Sequence, residues 1–260
     1  MNRLTALFGK KHNDILSVFF TAGYPHIDST VPVIQALASK GVDMVEIGIP
    51  FSDPMADGPV IQASSSKALA GGMTLRRLIG QVKEARAKVP DMPFILMGYL
   101  NPVMHYGIED FFRDAHEAGV DGVIIPDLPF DDYLSDFKEL SRHYDIPMIM
   151  LITPETSPER IRLIDSHCDG FIYMVSAAST TGAKDRYSEE QLDYFHRINA
   201  MNLKHHRLIG FGISNPVTFG QAQASASGAI IGSHFIKCLD KADGDPDKAV
   251  DMLLQSIGRA

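Results

Sequence analysis

The sequence predicts an α/β fold, a (β/α)8 TIM barrel that forms one domain over residues 1–260. Eight short apolar runs alternate with helix-like segments along the chain, and no linker or low-complexity stretch interrupts them. The length of 260 residues is also typical of this barrel. A doubly wound open sheet is the alternative, but the GxGxxG fingerprint of that fold is missing after the first run.

The apolar runs give the predicted strands, and the segments between them give the helices. The strands are expected over residues 15–22, 44–50, 94–99, 122–127, 147–152, 170–175, 207–213 and 228–232. A short N-terminal helix precedes them, and an extra helix is expected after strand 2. The other helices are expected from Asp28 or Ser29 to Gly41, over 60–70, 75–88, 109–118 and 132–143, from Ser157, over 189–201, from Pro216, and over 247–257.

The composition excludes several kinds of partner. The formal net charge is −8 and no long basic run occurs, so neither nucleic acid nor an anionic membrane is an expected partner. Cys168 and Cys238 belong to no CxxC pair, which favours two reduced thiols over a disulfide. No apolar stretch is long enough for a signal peptide or a membrane helix, so we expect a cytoplasmic protein.

Glu46 is the strongest candidate for a catalytic residue. Val45, Ile47 and Ile49 share one face of the second strand, and Glu46 lies between Met44 and Gly48 on the other. An ionised carboxylate is costly to bury, so this acid is paired, protonated at neutral pH, or facing a cavity. Desolvation raises the pKa of such a group, which suits general acid/base catalysis. The alternative is a structural acid that is paired with a Lys or Arg inside the barrel.

Two further acids follow strands. Asp57 lies in the loop after the Glu46 strand, where it could face the same substrate. Because Asp-Gly-Pro is also ordinary turn and cap chemistry, a structural role is at least as compatible with this pattern. Asp127, at the end of strand four, either caps the next helix or lines the mouth of the barrel.

Glycines at the ends of the seventh and eighth strands predict a phosphate site. Gly212 closes one run, and Gly232 with Ser233 closes the next. Glycine allows backbone N–H groups to approach an anion, and a following helix adds its positive N-terminal end. Barrels of this class often bind phosphate between these two loops. Each glycine taken alone is equally compatible with a simple turn.

The polar stretch over residues 176–188 is either a lid that closes on substrate or a long connection. Tyr173, in the strand before it, is expected to face the core with its hydroxyl near the mouth. The histidines show no metal-ligand spacing, and no nucleophile elbow or Walker loop occurs. Metal sites and covalent mechanisms are therefore not expected.

The stretch PFSDPMADGPVIQ, with Glu46 just upstream, closely resembles the signature of the tryptophan synthase alpha chain family. The likeness continues through FFTAGYP at Phe19, NPV at Asn101, PDLP at Pro126, STTG at Ser179, GFGIS at Gly210 and GS at Gly232. The resemblance implies a lyase that cleaves indole-3-glycerol phosphate to indole and glyceraldehyde 3-phosphate by a retro-aldol step. It also implies an α2β2 complex with a beta chain that carries pyridoxal phosphate, and no cofactor in this chain.

The same resemblance assigns roles to residues. Glu46 would be the general acid/base that protonates indole C3 and deprotonates the glycerol hydroxyl, and Asp57 would stabilise positive charge at the indole nitrogen. The residues expected at the indole end are Phe19, Tyr99, Asp127 and Tyr173, those expected to hold phosphate are Gly182, Gly212, Gly232 and Ser233, and Thr181 would fold the lid over Asp57.

Two positions depart from the family pattern. Ser179 stands where a glycine is common, and His234 follows the phosphate serine. Three other functions remain as alternatives: a stand-alone lyase that releases indole, a catalytically silent subunit that only activates a beta chain, and a phosphate-binding barrel isomerase, which would leave the SDPMADGP loop unexplained. The intact acids and phosphate turns argue against the silent subunit.

Overall fold

Eight parallel strands form a closed barrel in the computed structural model, which describes residues 2–176 and 185–259. Each strand pairs with the next along the chain, and the last pairs with the first, with Gly228 opposite Ile15. The strands are β1 (Ile15–Thr21), β2 (Met44–Gly48), β3 (Phe94–Met97), β4 (Gly122–Ile124), β5 (Met148–Ile152), β6 (Phe171–Val175), β7 (His206–Gly210) and β8 (Gly228–Ile231). The predicted barrel is confirmed, and closure excludes the open sheet.

Helices connect successive strands around the outside of the barrel. They are α1 (Arg3–Lys10), α2 (Thr30–Ser39), α3 (Pro59–Ala70), α4 (Leu75–Lys88), α5 (Leu100–Tyr106), α6 (Ile108–Ala118), α7 (Phe130–Asp132), α8 (Lys138–His143), α9 (Pro158–His167), α10 (Glu189–Asn199), α11 (Pro216–Ser225), α12 (Ser233–Lys241) and α13 (Pro246–Ser256). A π-helical turn, Tyr133–Phe137, joins α7 to α8. No helix of the described residues is both long and apolar enough to cross a membrane.

The N-terminal helix and the extra helix after strand 2 are both confirmed, but the prediction missed two helices. One is α5, which contains Pro102. Proline suggests a break in a sequence, although it is tolerated in the first turn of a helix, where it lies here. The other is α12, which begins at Ser233 with only Gly232 between it and the end of β8, whereas the prediction treats Gly232 and Ser233 only as the end of the strand.

The strands separate two apolar cores. Val45 and Ile47 point outward and pack between the barrel and the surrounding helices. Met44 points inward and packs with the inner ends of other strands, among them Ile95 and Leu208. Glu46 has the same parity as Met44 and therefore faces the barrel interior, as its place in the sequence predicts.

Helix α1 closes the end of the barrel at which the strands begin. Leu4 and Phe8 belong to the inner core, and the ring of Phe8 stacks on His206, the first residue of β7, with 4.7 Å between centroids. The Asn2 side chain caps α1 and donates hydrogen bonds to the carbonyls of Asp121 and Asp145. Packed apolar side chains of α1 therefore close this end of the barrel.

A buried ion pair beside β3 and β4 secures the plugged end. Asp121 is 1% exposed, and its carboxylate pairs with Arg86 at 2.7 Å and with Arg3 at 3.1 Å. It also accepts a hydrogen bond from the Phe94 backbone N–H. Burial lowers the pKa of the Arg86 guanidinium to about 10, despite the opposing charge of Asp121. One carboxylate therefore joins α1, α4 and the sheet.

We expect Asp121→Ala to lower the free energy of unfolding by about 3–5 kcal/mol, because it leaves the buried Arg86 charge with backbone carbonyls but without its carboxylate partner. Denaturant unfolding monitored by circular dichroism measures this loss. The matched control is Asp110→Ala, which removes the exposed partner of Arg113 and should leave stability nearly unchanged. Equal stability of the two variants would contradict a structural role for the buried pair.

Candidate active site

The Glu46 carboxyl group lies inside the barrel with one hydrogen bond. The residue is 0% exposed, and its Oε1 accepts a hydrogen bond of 2.8 Å from the hydroxyl of Ser17 on β1. Its Oε2 is equally buried and has no hydrogen-bonding partner among the described residues. Among the described residues, no Lys or Arg pairs with Glu46. The structure therefore does not support the alternative that Glu46 is a structural acid in an ion pair.

Burial raises the pKa of Glu46 to about 8, and the hydrogen bond from Ser17 acts weakly in the opposite direction. At neutral pH most molecules therefore carry a protonated Glu46. An acid of this kind can donate a proton and then recover one at physiological pH.

Asp57 lies in the loop between β2 and α3, and Tyr99 holds that loop. The Tyr99 hydroxyl accepts a hydrogen bond of 3.0 Å from the Ala56 N–H and is also hydrogen-bonded to the Asp57 carboxylate. The Gln62 side chain donates to the Asp57 carbonyl at 2.7 Å. Partial burial raises the pKa of Asp57, while the bond from Tyr99 lowers it.

Asp127 caps a helix, but not the helix that follows its own strand. Its carboxylate accepts a hydrogen bond of 2.9 Å from the N–H of Leu100, the first residue of α5. Of the two alternatives for Asp127, the described contacts do not show a cap on the helix after its own strand; the carboxylate caps α5, which follows the neighbouring strand β3. Its negative charge contributes to the raised pKa of Tyr99, so it lies at the same side of the mouth.

Tyr173 brings the two acids into one site. It points into the barrel from β6, and its pKa is raised well above the ordinary value, first by burial and then by the negative charges of Glu46 and Asp57. Both carboxyl groups are thus within electrostatic reach of the same phenol. A Cβ on Gly210 would lie 2.2 Å from the Tyr173 hydroxyl, so this glycine makes room for the ring.

The Phe19 ring, on β1, lies between the two strands that pair with β1. A Cβ on Gly48 would lie 2.6 Å from its ring, and a Cβ on Gly232 would lie 3.3 Å from it. The ring therefore spans β2 and the end of β8, directly opposite Glu46 in the β1–β2 register. Phe19 and Tyr173 thus place two buried aromatic rings at the site of Glu46, and such rings suit contact with a flat apolar ligand.

The glycines predicted to hold phosphate lie side by side. Gly210 pairs with Ile230, so Gly212 and Gly232 follow adjacent strands at the same height. Phe211 and Gly212 both have positive φ, at 75° and 78°, and a bulky residue rarely adopts this conformation. Helix α12 begins at Ser233 with no side-chain cap, which leaves its first turn available to an anion.

Two hydroxyl groups stabilise the Phe211 turn. Ser176, after β6, and Tyr187, before α10, both donate to the Phe211 carbonyl, at 2.9 and 3.0 Å. Thr181 and Gly182, together with Ser179, lie outside the described residues, and their roles stay predictions. The side chain of His234 is hydrogen-bonded to that of Ser256 on α13 at 2.7 Å, and so joins α12 to α13 next to Ser233.

Sequence reasoning did not assign site roles to Ser17, Ser176, Phe211 or Tyr187. All four form hydrogen bonds at the site. Ser17 carried a usable signal, since it shares the inward parity of Phe19 on the first strand. Among the described residues, no group of three His, Cys, Asp or Glu side chains could hold a metal ion.

Comparisons with known proteins agree with this geometry. The family model described as tryptophan synthase alpha chain matches residues 6–259. The chain is 58% identical over 257 residues to the tryptophan synthase alpha chain of Parabacteroides distasonis and 56% identical to that of Phocaeicola vulgatus, with 99% of each chain covered.

Solved structures give the same result. The alpha chain from Legionella pneumophila superposes with a TM-score of 0.88 at 34% identity, covering 99% of this chain and 96% of that one. Tryptophan synthase from M. tuberculosis gives a TM-score of 0.84 at 27% identity, with 100% and 99% covered. The chain therefore belongs to the tryptophan synthase alpha chain family, the lyases that cleave indole-3-glycerol phosphate in tryptophan biosynthesis.

Proposed function

We propose that Glu46 is the general acid/base of the family's cleavage reaction and that Asp57 assists it at the indole nitrogen. The observation that carries this proposal is the buried carboxyl group of Glu46, whose Oε2 has no partner among the described residues. An unsatisfied buried polar atom costs about 1–3 kcal/mol, and such a cost is typical of a functional site. A substrate atom would supply the missing partner.

The proposed reaction has two proton transfers. Protonated Glu46 first gives its proton to indole C3, and the positive charge that forms at the ring nitrogen is stabilised by the Asp57 carboxylate. The Glu46 carboxylate then takes the proton of the glycerol hydroxyl next to C3. As that oxygen forms a carbonyl, the carbon–carbon bond breaks and its electron pair returns to the indole ring. Glu46 ends protonated, as it began, which suits its pKa of about 8.

The remaining predicted residues position the substrate. We propose that Phe19, Tyr99, Asp127 and Tyr173 surround the indole end, with the aromatic rings against its faces. The phosphate would bind at Gly212, Gly232 and Ser233, where an uncapped helix start offers N–H groups and a positive dipole end. Local binding of this kind is needed because the chain has a net charge of −8. Thr181 and Gly182 would complete the enclosure.

We propose that a beta chain binds at the mouth of the barrel. Met55, in the Asp57 loop, is 83% exposed, and Met104, on α5 after the adjacent strand, is 59% exposed. Flexible apolar side chains at such positions are typical of protein-binding surfaces. The expected complex is α2β2 and cytoplasmic, the pyridoxal phosphate would belong to the beta chain, and residues 1–260 of this chain would act as one domain.

We expect Glu46→Gln to lower kcat for indole release by at least about a thousandfold, because an amide cannot transfer the proton. Circular dichroism would show an unchanged fold. The matched control is Glu139→Gln, an exposed glutamate on α8, which should keep parental turnover. Parental turnover in folded Glu46→Gln would exclude the proposed role.

The raised pKa of Glu46 also predicts how stability depends on pH. The unfolded chain releases this proton near pH 4.5, whereas the folded chain keeps it to about pH 8, so stability is lost as pH rises through that window. The Glu46→Gln variant does not lose stability in this way, because its amide does not titrate. Between pH 5 and pH 8.5 its free energy of unfolding should rise by about 4 kcal/mol relative to the parent. Urea unfolding of both proteins at pH 5 and at pH 8.5 measures this difference. If the two proteins differ in free energy of unfolding by the same amount at both pH values, the prediction is wrong.

The partner is tested by indole release from indole-3-glycerol phosphate, with and without an added beta chain. We expect slow release by the chain alone and an increase of at least about tenfold with the partner. Met104→Lys should raise the Kd for the beta chain, because it places a charge in the apolar contact, whereas Leu163→Lys on α9 serves as the matched control. Fast indole release without the beta chain would favour a stand-alone lyase. No indole release with or without the beta chain would favour a silent subunit.

A further inference from the structure

We propose that Ser17 is a positioning residue for the cleavage reaction: its hydroxyl holds Oε1 of Glu46, so that Oε2 is the oxygen that transfers the proton. This inference rests on the proposed role of Glu46. Ser17 would not touch the substrate, and it would act only through the carboxyl group.

The backbone register places the serine below the acid. On β1, Ser17 and Phe19 point inward, and in the pairing with β2 they stand opposite Met44 and Glu46. Ser17 is therefore one pleat deeper in the barrel than the acid, toward the plugged end. Both residues are 0% exposed, so no bulk water competes for the hydrogen bond.

This hydrogen bond is the one contact that orients the carboxyl group within the described part of the chain. The terminal torsion of a glutamate is broad and nearly two-fold, so an unheld carboxyl group can exchange its two oxygens. Oε2 has no partner among residues 2–176 and 185–259, and Oε1 has only Ser17. Without the hydroxyl, neither oxygen would be fixed relative to the substrate.

The direction of the bond decides where the proton sits. The Ser17 hydroxyl donates, so Oε1 is the acceptor, and the proton of the neutral acid belongs on Oε2. The bond persists through both proton transfers and strengthens when the carboxylate forms, since hydrogen bonds to charged groups are the stronger ones. Ser17 thereby stabilises the ionised intermediate as well as the geometry.

Other groups around Glu46 do not offer the same support. The inner faces of β2, β3 and β8 are apolar there, with Met44, Ile95 and Ile230. Tyr173 on β6 is the titratable group whose pKa the charges of both Glu46 and Asp57 raise, whereas the pKa of Glu46 itself is raised by burial and lowered by the bond from Ser17. Removing the Ser17 hydroxyl should therefore change the orientation and the pKa of the Glu46 carboxyl group without changing the charged groups around it.

The experiment compares Ser17→Ala with the parent. We expect kcat for indole release to fall about tenfold at pH 7 while KM stays within about twofold, because only the acid loses its orientation. The fall in activity that deprotonation of Glu46 causes near pH 8 should move up by about one unit. Ser17→Cys keeps the shape with a weaker donor and should give intermediate values.

The matched control is Ser141→Ala, which removes another buried hydroxyl, one that donates to the Ile146 carbonyl far from the site. It should lose similar stability without any change in kcat or in the pH profile. Parental kcat, or an unmoved pH profile, in folded Ser17→Ala would overturn the proposal.

An infrared measurement separates this proposal from the one on which it rests. The carbonyl band of a buried protonated acid, assigned to Glu46 by its loss in Glu46→Gln, should persist to higher pH and shift in frequency in Ser17→Ala without any substrate present. An unchanged band would refute the role of Ser17. If instead the band shifts but Glu46→Gln retains full turnover, the proposed catalytic role of Glu46 fails while the hydrogen bond stands.

Discussion

A carboxyl group buried inside an apolar barrel is the constraint on which the rest of this structure depends. Glu46 can occupy its position only because the alternation of β2 places it inward and because it holds its proton at neutral pH. The plug formed by α1 removes one route for water, and the Ser17 hydroxyl supplies one compensating bond. Burial of this group costs stability above the ordinary pKa of a glutamate, and the same burial gives Glu46 the raised pKa that its proposed acid/base role requires.

The barrel divides the parts of the site between rigid and adjustable elements. Strands hold the groups whose direction matters most, Glu46 and Tyr173, because neighbouring backbone on both sides fixes them. Loops hold Asp57 and the Phe211 turn, where the chain can come close to a ligand. Hydrogen bonds between these loops and the side chains of Tyr99 and Ser176, which follow β3 and β6, hold the loops against the barrel. The strands therefore fix the side chains, and the loops provide the backbone that can approach a ligand.

The sequence predicted what depends on one strand at a time. The inward face of Glu46 and the paired glycine turns follow from alternation and from chain order. What it could not predict depends on how separate strands are aligned. The bond from Ser17 requires the β1–β2 register, and the cap that Asp127 places on α5 requires β3 and β4 to be neighbours. The assigned roles of the site residues, with Thr181 and Gly182 among them, remain predictions.

The closure of the sheet has a consequence for the order in which the chain can fold during synthesis. β1 is the first strand to be synthesised, whereas β8, which pairs with its other edge, is the last. Until then the inner face of β1 and the apolar side of α1 have no complete core to enter. Contacts between distant parts of a chain form slowly, so the nascent protein presents an unfinished sheet edge for most of its translation. The ring that excludes water from Glu46 is therefore complete only once nearly the whole polypeptide exists.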